Sequence, residues 1–210
     1  MKNSFVAEQI DKLPMVAILR GLMPSEAIEI GTALFNSGIT TMEVTLNSPE
    51  PLKSIELLAN HFEGRMAIGA GTVLSAKDVE NVQSAGGQFI VSPSVNVEVI
   101  EKTVTMGMYS IPGALTCTEC FEAINAGANA LKIFPASVVG VAGVKDMMAV
   151  IPKEIGIFAV GGVNEHNLEN WLSIGIKGVG LGSNLYKAGD TSEKVAANAK
   201  SMIALMNRHS

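Results

Sequence analysis

Cysteine is nearly absent: Cys117 and Cys120 are the only two. A disulfide-built secreted fold is therefore excluded, and a reducing cytoplasm is the expected compartment. No excess of basic charge exists either. Fifteen Lys and Arg stand against twenty Asp and Glu, for a net charge of -5. Nucleic acid and anionic membrane surfaces, which both call for a basic face, are not expected partners. No apolar run reaches the ~18 residues of a membrane span. The opening MKNSFVAEQIDKLP carries acidic residues and no apolar core, so it does not read as a secretory signal. Low-complexity tracts, charge blocks and Ser/Pro linkers are missing too, and residues 1–210 read as one domain. Aromatic residues make up only 5%, beside 21 Gly and 8 Pro, which suggests short elements joined by tight turns.

What is present is a strand–helix rhythm. Apolar, β-rich runs recur at MVAIL (15–19), MEVTL (42–46), MAIGA (66–70), QFIVS (88–92), MYSIP (108–112), ALKIF (130–134), IFAVG (157–161) and GVGLG (178–182). Stretches of helical periodicity separate them, such as PSEAIEIGTALFNSG and SAKDVENVQSAG. Several open on Ser, Thr or Asn and stop at Gly, as capped helices do. Near-continuous apolar strands fit a parallel sheet covered by helices. Eight units in 210 residues leave about 26 residues each, which favours a closed α/β barrel, the (β/α)8 TIM barrel, over an open sheet. An extra helix around residues 3–12 would cap its bottom, and residues 191–208 would supply the last helix.

Charged residues interrupt three of these strands. Arg20 ends the first, Glu43 lies in the second and Lys132 in the sixth. Strand side chains alternate between faces. Lys132 and Phe134 can therefore face the interior while Leu131 and Ile133 face the helices; Glu43 and Thr45 turn inward likewise, with Met42, Val44 and Leu46 outward. Lys177 also adjoins a strand, but at its start, where water is near. A structural ion-pair cluster is one reading of the three charges, though burying ions often costs more than it returns. The other is chemical. Burial lowers a lysine pKa and frees the amine to attack a carbonyl. A carboxylate beside it can move protons, and a guanidinium can grip a carboxylate through paired hydrogen bonds. Together these describe Schiff-base chemistry on a 2-oxo acid, at the C-terminal barrel face where active sites sit.

The seventh and eighth strands end in AVGGVN and GVGLGSN, the loops that often bind phosphate in such barrels. Gly161 and Gly162 permit close approach of the backbone to an anion, and N–H groups near Gly182 and Ser183 can point at its oxygens. Glycines that merely relieve crowding at barrel corners are the alternative. A dinucleotide fingerprint is set aside, because GVGLG lies too close to the C-terminus for a following βαβ unit. GAGTV (69–73) closes the third strand and offers the Thr72 hydroxyl, while Pro93 and Pro112 are placed to shape the rim. Cys117 and Cys120 form a CxxC at the start of a helix. Zinc would need further ligands that no second pair supplies; a helix N-terminus can lower a thiol pKa. His61, His166 and His209 fall in presumed helices and read as surface residues.

The set ILRG, EVTLNSP, GAGTVL, FIVSPS, IPG, ALKIFPAS, AVGGV and GLGSNLY, in this order and spacing over about residues 12–190, resembles the class I 2-keto-3-deoxy-6-phosphogluconate/phosphogalactonate aldolases. The resemblance implies a (β/α)8 barrel, usually a homotrimer. It implies a reaction without metal or other cofactor that cleaves a phosphorylated sugar acid to pyruvate and glyceraldehyde 3-phosphate. It makes Lys132 the Schiff-base lysine and Glu43 the proton shuttle, acting partly through water. Arg20 and Thr72 would then hold the pyruvyl carboxylate end, and Gly161, Gly162, Gly182 and Ser183 the phosphate. The phosphogluconate branch typically reads EVTLRT and lacks an arginine in the first strand. Here Asn47 follows the leucine and Arg20 is present, which resembles the phosphogalactonate branch. The phosphogluconate epimer as main substrate, a sugar-phosphate isomerase or epimerase, and a non-catalytic sensor remain the alternatives.

Overall fold

A computed structural model describes residues 4–208. The apolar runs become parallel strands: β1 (Met15–Leu19), β2 (Thr41–Thr45), β3 (Ala67–Gly71), β4 (Phe89–Val91) and β5 (Tyr109–Ile111). These are followed by β6 (Gly113–Ala114), β7 (Ala130–Ile133), β8 (Gly156–Val160) and β9 (Gly178–Leu181). They form one sheet in the order β5-β4-β3-β2-β1-β9-β8-β7-β6. Its two ends are one strand interrupted at Pro112. The Asn129 N–H donates to the Ser110 carbonyl at 3.0 Å and the Lys132 N–H to the Pro112 carbonyl at 2.9 Å, which closes the ring. Eight strands are expected from the sequence; the fifth splits because proline has no N–H to give the ladder.

Helices α1 (Ser4–Lys12), α2 (Pro24–Asn36), α3 (Pro51–His61), α4 (Ala76–Ser84) and α5 (Val97–Thr105) occupy the predicted stretches. So do α6 (Cys117–Asn125) and the final α9 (Ser192–Met206), while α7 (Ala136–Met148) and α8 (Leu168–Ser173) complete the outer layer. The hydroxyls of Ser75, Thr116 and Thr191 and the Asn96 amide oxygen each accept a backbone N–H of their helix's first turn. Such caps satisfy donors that a helix start leaves open. The outward strand residues Met42, Val44, Leu131 and Ile133 pack with the helices in the larger apolar cluster.

A second cluster fills the barrel. Val16, Ile18, Phe89, Val91, Ile111, Phe158 and Val160 meet Val6 and Ile10 of α1, which seals the bottom as expected. Glycines in the strands make room for this filling. A Cβ at Gly69 would lie 2.5 Å from the Phe89 ring, and one at Gly178 2.9 Å from Phe158. Large side chains on one strand thus occupy the space left by its neighbour, as a filled barrel requires. Lys177, at the start of β9, is exposed and pairs with Asp11 of α1.

Candidate active site

Above this apolar plug the two inward-facing charges emerge. Glu43, in the middle of β2, is 1% exposed, and Lys132, in β7, is 7% exposed. Val16, Ile18, Val91, Ile111, Phe158 and Val160 line the space beneath them. Arg20 lies one residue beyond β1, in the turn rather than in the strand, and is exposed. The strand's alternation still turns it toward the same mouth. A cavity of about 400 Å³ opens at this C-terminal face and is lined by Arg20, Glu43, Thr72, Lys132, Gly161, Gly162, Gly182 and Ser183. All eight candidate residues therefore share one space.

The electrostatics follow from the burial. Desolvation pushes the Glu43 carboxyl up to about 7, against the opposing pull of the Lys132 and Arg20 charges. Desolvation pulls Lys132 below the ordinary lysine value; the Glu43 charge resists this and Arg20 reinforces it. The Lys132 Nζ also lies 4.6 Å from the centroid of the Phe134 ring, which forms one wall. Glu43 Oε2 is buried without a hydrogen-bond partner. Such an orphan acceptor in a cleft is poised to take a proton or bind a hydroxyl.

Glu43 fits because residue 71 has no side chain. A Cβ at Gly71 would lie 2.2 Å from Glu43 Oε1 and 2.7 Å from its Cδ. Gly71→Ala is accordingly expected to displace the carboxyl and lower kcat by about tenfold to a hundredfold, the cost of misplacing a reacting group by an ångström. Steady-state kinetics on a variant whose melting curve still shows a cooperative fold would check it.

Around the rim the backbone adopts unusual conformations. Gly161 and Gly162 have φ of +95° and +83°, and a Cβ on Gly162 would meet the Ser137 Cβ at 2.7 Å. Thr72 sits at φ +58°, in the left-handed region although it is β-branched. Strain of this kind costs about 1–3 kcal/mol and clusters at ligand clamps. After β9 the N–H groups of Leu185 and Tyr186 both bond to the Gly182 carbonyl, so Ser183 and Asn184 open a helical turn at the rim.

Sequence reasoning passed over Asn184, Tyr186 and Lys187, which also line the cavity. Their signal was their place directly after the last strand. The Tyr186 hydroxyl donates to Glu26 Oε1 at 2.7 Å, tying this loop to α2. Two expectations need correction. His166 lies in a turn before α8, not in a helix; His61 ends α3, both are exposed, and His209 lies outside the described residues. Cys120 is not activated by the start of α6: it is buried, and burial pushes its thiol up to about 11. Among the described residues no three His, Cys, Asp or Glu side chains come together, so the CxxC has no partners for a metal.

A buried amine, a buried carboxyl and an arginine at the mouth of a parallel barrel, ringed by glycine loops at positive φ, define a sugar-phosphate lyase type of site. Residues 6–200 match the model of the family described as "Aldolase: KDPG and KHG aldolase". The chain belongs to this aldolase family. It is 44% identical over 192 residues to the 2-dehydro-3-deoxy-6-phosphogalactonate aldolase of Escherichia coli strain K12, covering 91% of this chain and 94% of that protein. A solved structure described as "Native KDPGal structure" superposes with TM-score 0.93 at 42% identity, covering 94% of this chain and 96% of the other. The KDPG aldolase of Legionella pneumophila, solved "with pyruvate captured at low pH as a covalent carbinolamine intermediate", is similar at TM-score 0.84 and 28% identity, covering 92% and 95%.

Proposed function

We propose that this aldolase cleaves 2-dehydro-3-deoxy-6-phosphogalactonate to pyruvate and glyceraldehyde 3-phosphate through a Schiff base on Lys132. The observation that carries the reading is one buried amine and one buried carboxyl in the same cavity, both shifted by desolvation. The uncharged Lys132 amine adds to the C2 carbonyl to give a carbinolamine, and loss of water leaves an iminium. Glu43, ionised, takes the proton of the C4 hydroxyl. The C3–C4 bond then breaks, its electron pair enters the iminium, and the aldehyde departs. Protonation of the resulting enamine at C3 and attack by water release pyruvate and restore the amine. The covalent pyruvate adduct in the Legionella protein's structure supports this chemistry.

The remaining roles follow from position. Arg20 and Thr72 hold the carboxylate end of the substrate. Gly161, Gly162, Gly182 and Ser183 hold the phosphate on backbone N–H groups, which suits an acidic protein because amide dipoles need no basic surface. No metal or cofactor enters any step. The resemblance supports a homotrimer, for which exposed Leu74, Leu115 and Phe121 offer apolar surface. A cytoplasmic setting is supported by free Cys117 and Cys120. Among the described residues no helix is long and apolar enough to cross a membrane.

The test compares pyruvate release from the phosphogalactonate and phosphogluconate epimers. Faster turnover of the former is expected, whereas an isomerase or epimerase would conserve carbon number and release none. Arg20→Ala should raise KM by about tenfold to a hundredfold, the worth of charge-assisted hydrogen bonds to an anion. Asn47→Arg places a second cation after β2 and is expected to narrow the preference between epimers. An unchanged KM in Arg20→Ala would remove the clamp from the account, and an unchanged preference in Asn47→Arg would remove residue 47 from the choice between epimers.

A further inference from the structure

Among the described residues no side-chain hydrogen bond or salt bridge holds the Arg20 guanidinium, whose charge acts on Glu43 and Lys132, so the backbone that sets where its side chain starts matters to its reach. Both peptide units flanking it converge on one buried hydroxyl. The Gly21 N–H donates to Ser48 Oγ at 2.8 Å, and Ser48 Oγ donates to the Leu19 carbonyl at 3.5 Å. Thr45 Oγ1 lies 3.1 Å from the same atom. A serine hydroxyl has one proton and two lone pairs. The Gly21 N–H takes one lone pair, and in the Ser48–Thr45 contact either hydroxyl can donate, so the serine is held from both sides. Its own N–H bonds to the Thr45 carbonyl at 2.9 Å, which folds the turn after β2 back over the end of that strand.

Thr45 sits two residues beyond Glu43 on the same inward face of β2. Ser48 is 7% exposed and Thr45 1%, so water does not compete well for these bonds. Gly21 has φ +84°, and a Cβ there would lie 3.1 Å from the Ala188 Cβ. The turn after β1 is thus hemmed in by the loop after β9 on one side and bonded to β2 on the other. A hydroxyl pair couples the strand that carries the carboxyl to the backbone that aims the guanidinium.

We infer that Ser48 is a positioning residue that fixes the direction of Arg20 toward the substrate's carboxylate, acting through the Leu19 and Gly21 peptides and braced by Thr45. The inference rests on reading Arg20 as the anion clamp. It differs from a packing role because its effect must pass through Arg20.

Kinetics of phosphogalactonate cleavage by the wild type, Ser48→Ala, Ser48→Thr, Arg20→Ala and the Arg20→Ala/Ser48→Ala double variant test it. Ser48→Ala is expected to raise KM about fivefold to twentyfold with kcat within about threefold, since the amine and carboxyl stay in place. Borohydride trapping on Lys132 should reach the wild-type yield at saturating pyruvate, with more pyruvate needed for half-maximal labelling. Ser48→Thr, which keeps the hydroxyl, should restore most of the affinity. In the Arg20→Ala background, Ser48→Ala should add less than about twofold, because coupled residues share one effect.

A wild-type KM in Ser48→Ala overturns the inference. So does a KM rise that persists in full without Arg20, or a loss confined to kcat. Should Ser48→Ala fail to fold, Thr45→Val removes the brace and should raise KM in the same direction; an unchanged KM there overturns the proposal. An Arg20→Ala variant with normal KM defeats the clamp reading itself, whatever the serine variants do.

Discussion

Lys132→Ala is expected to lose activity by about 10⁴-fold or more, because Lys132 is the buried amine of the cavity, whereas Lys187, the other amine in its lining, is exposed at the rim. Ile18, Phe134 and Val160, which share the cavity wall with Lys132, are apolar and carry no nucleophile. Lys132→Arg should be equally inactive: a guanidinium is charged throughout the accessible pH range and cannot form the imine. Borohydride added with pyruvate should give the wild type a stable mass increase that peptide mapping places on Lys132. The variants should stay unlabelled while their melting curves show a folded protein. An unlabelled Lys132 in folded, pyruvate-exposed wild type would defeat the Schiff-base route, even though the barrel and its family would stand.

Glu43→Gln has the second largest expected effect, and it separates catalysis from stability. Removing a positioned acid–base group costs about 10²–10⁴-fold in kcat. The wild type should show an acid limb in kcat/KM near pH 7, where burial has moved the carboxyl. The glutamine variant should lack that limb in its residual activity. The fold should respond in the opposite sense. A carboxyl raised from 4.5 to about 7 holds its proton more tightly in the folded chain than in the unfolded one. Its contribution to stability is therefore largest below about pH 4.5 and is lost as pH rises toward 7. Glutamine escapes that loss. At pH 8 the variant should be more stable by on the order of 1–3 kcal/mol, with the gap shrinking as pH falls. For a chain of this size each kcal/mol moves the melting temperature by about 2–4 °C. Melting scans at several pH values, set beside the rate profile, measure both effects on the same two proteins.

Most of the architecture was legible because the strands obey a period of two and the helices carry explicit caps. β1 coincides with MVAIL, and the other strands lie within a residue or two of their apolar runs. That periodicity alone sent Glu43 and Lys132 inward, since a shift of one residue would have turned both outward. What remained hidden depends on contacts far apart in the chain. Nothing local to Gly71 announces that it vacates space for a carboxylate 28 positions earlier. The hydroxyl of Ser48 meets Gly21 across 27 residues. Lys187 and Asn184 join the cavity because the loop after β9 turns back over the mouth, a path that composition does not encode. Pro112 was visible as a rim residue, but its division of the fifth strand depended on which carbonyls its neighbours could reach.

The helix at the foot of the barrel has a bearing on how turnover must end. With Val6 and Ile10 lodged under Phe89 and Phe158, the chamber is a cul-de-sac, and both fragments leave by the door through which the substrate came in. On the proposed Lys132 route, the three-carbon phosphate sits nearer that door, against the glycine turns, while the other fragment is tethered deep inside. That route makes departure sequential, aldehyde first. In the reverse direction it has carbon–carbon bond formation begin with pyruvate already seated.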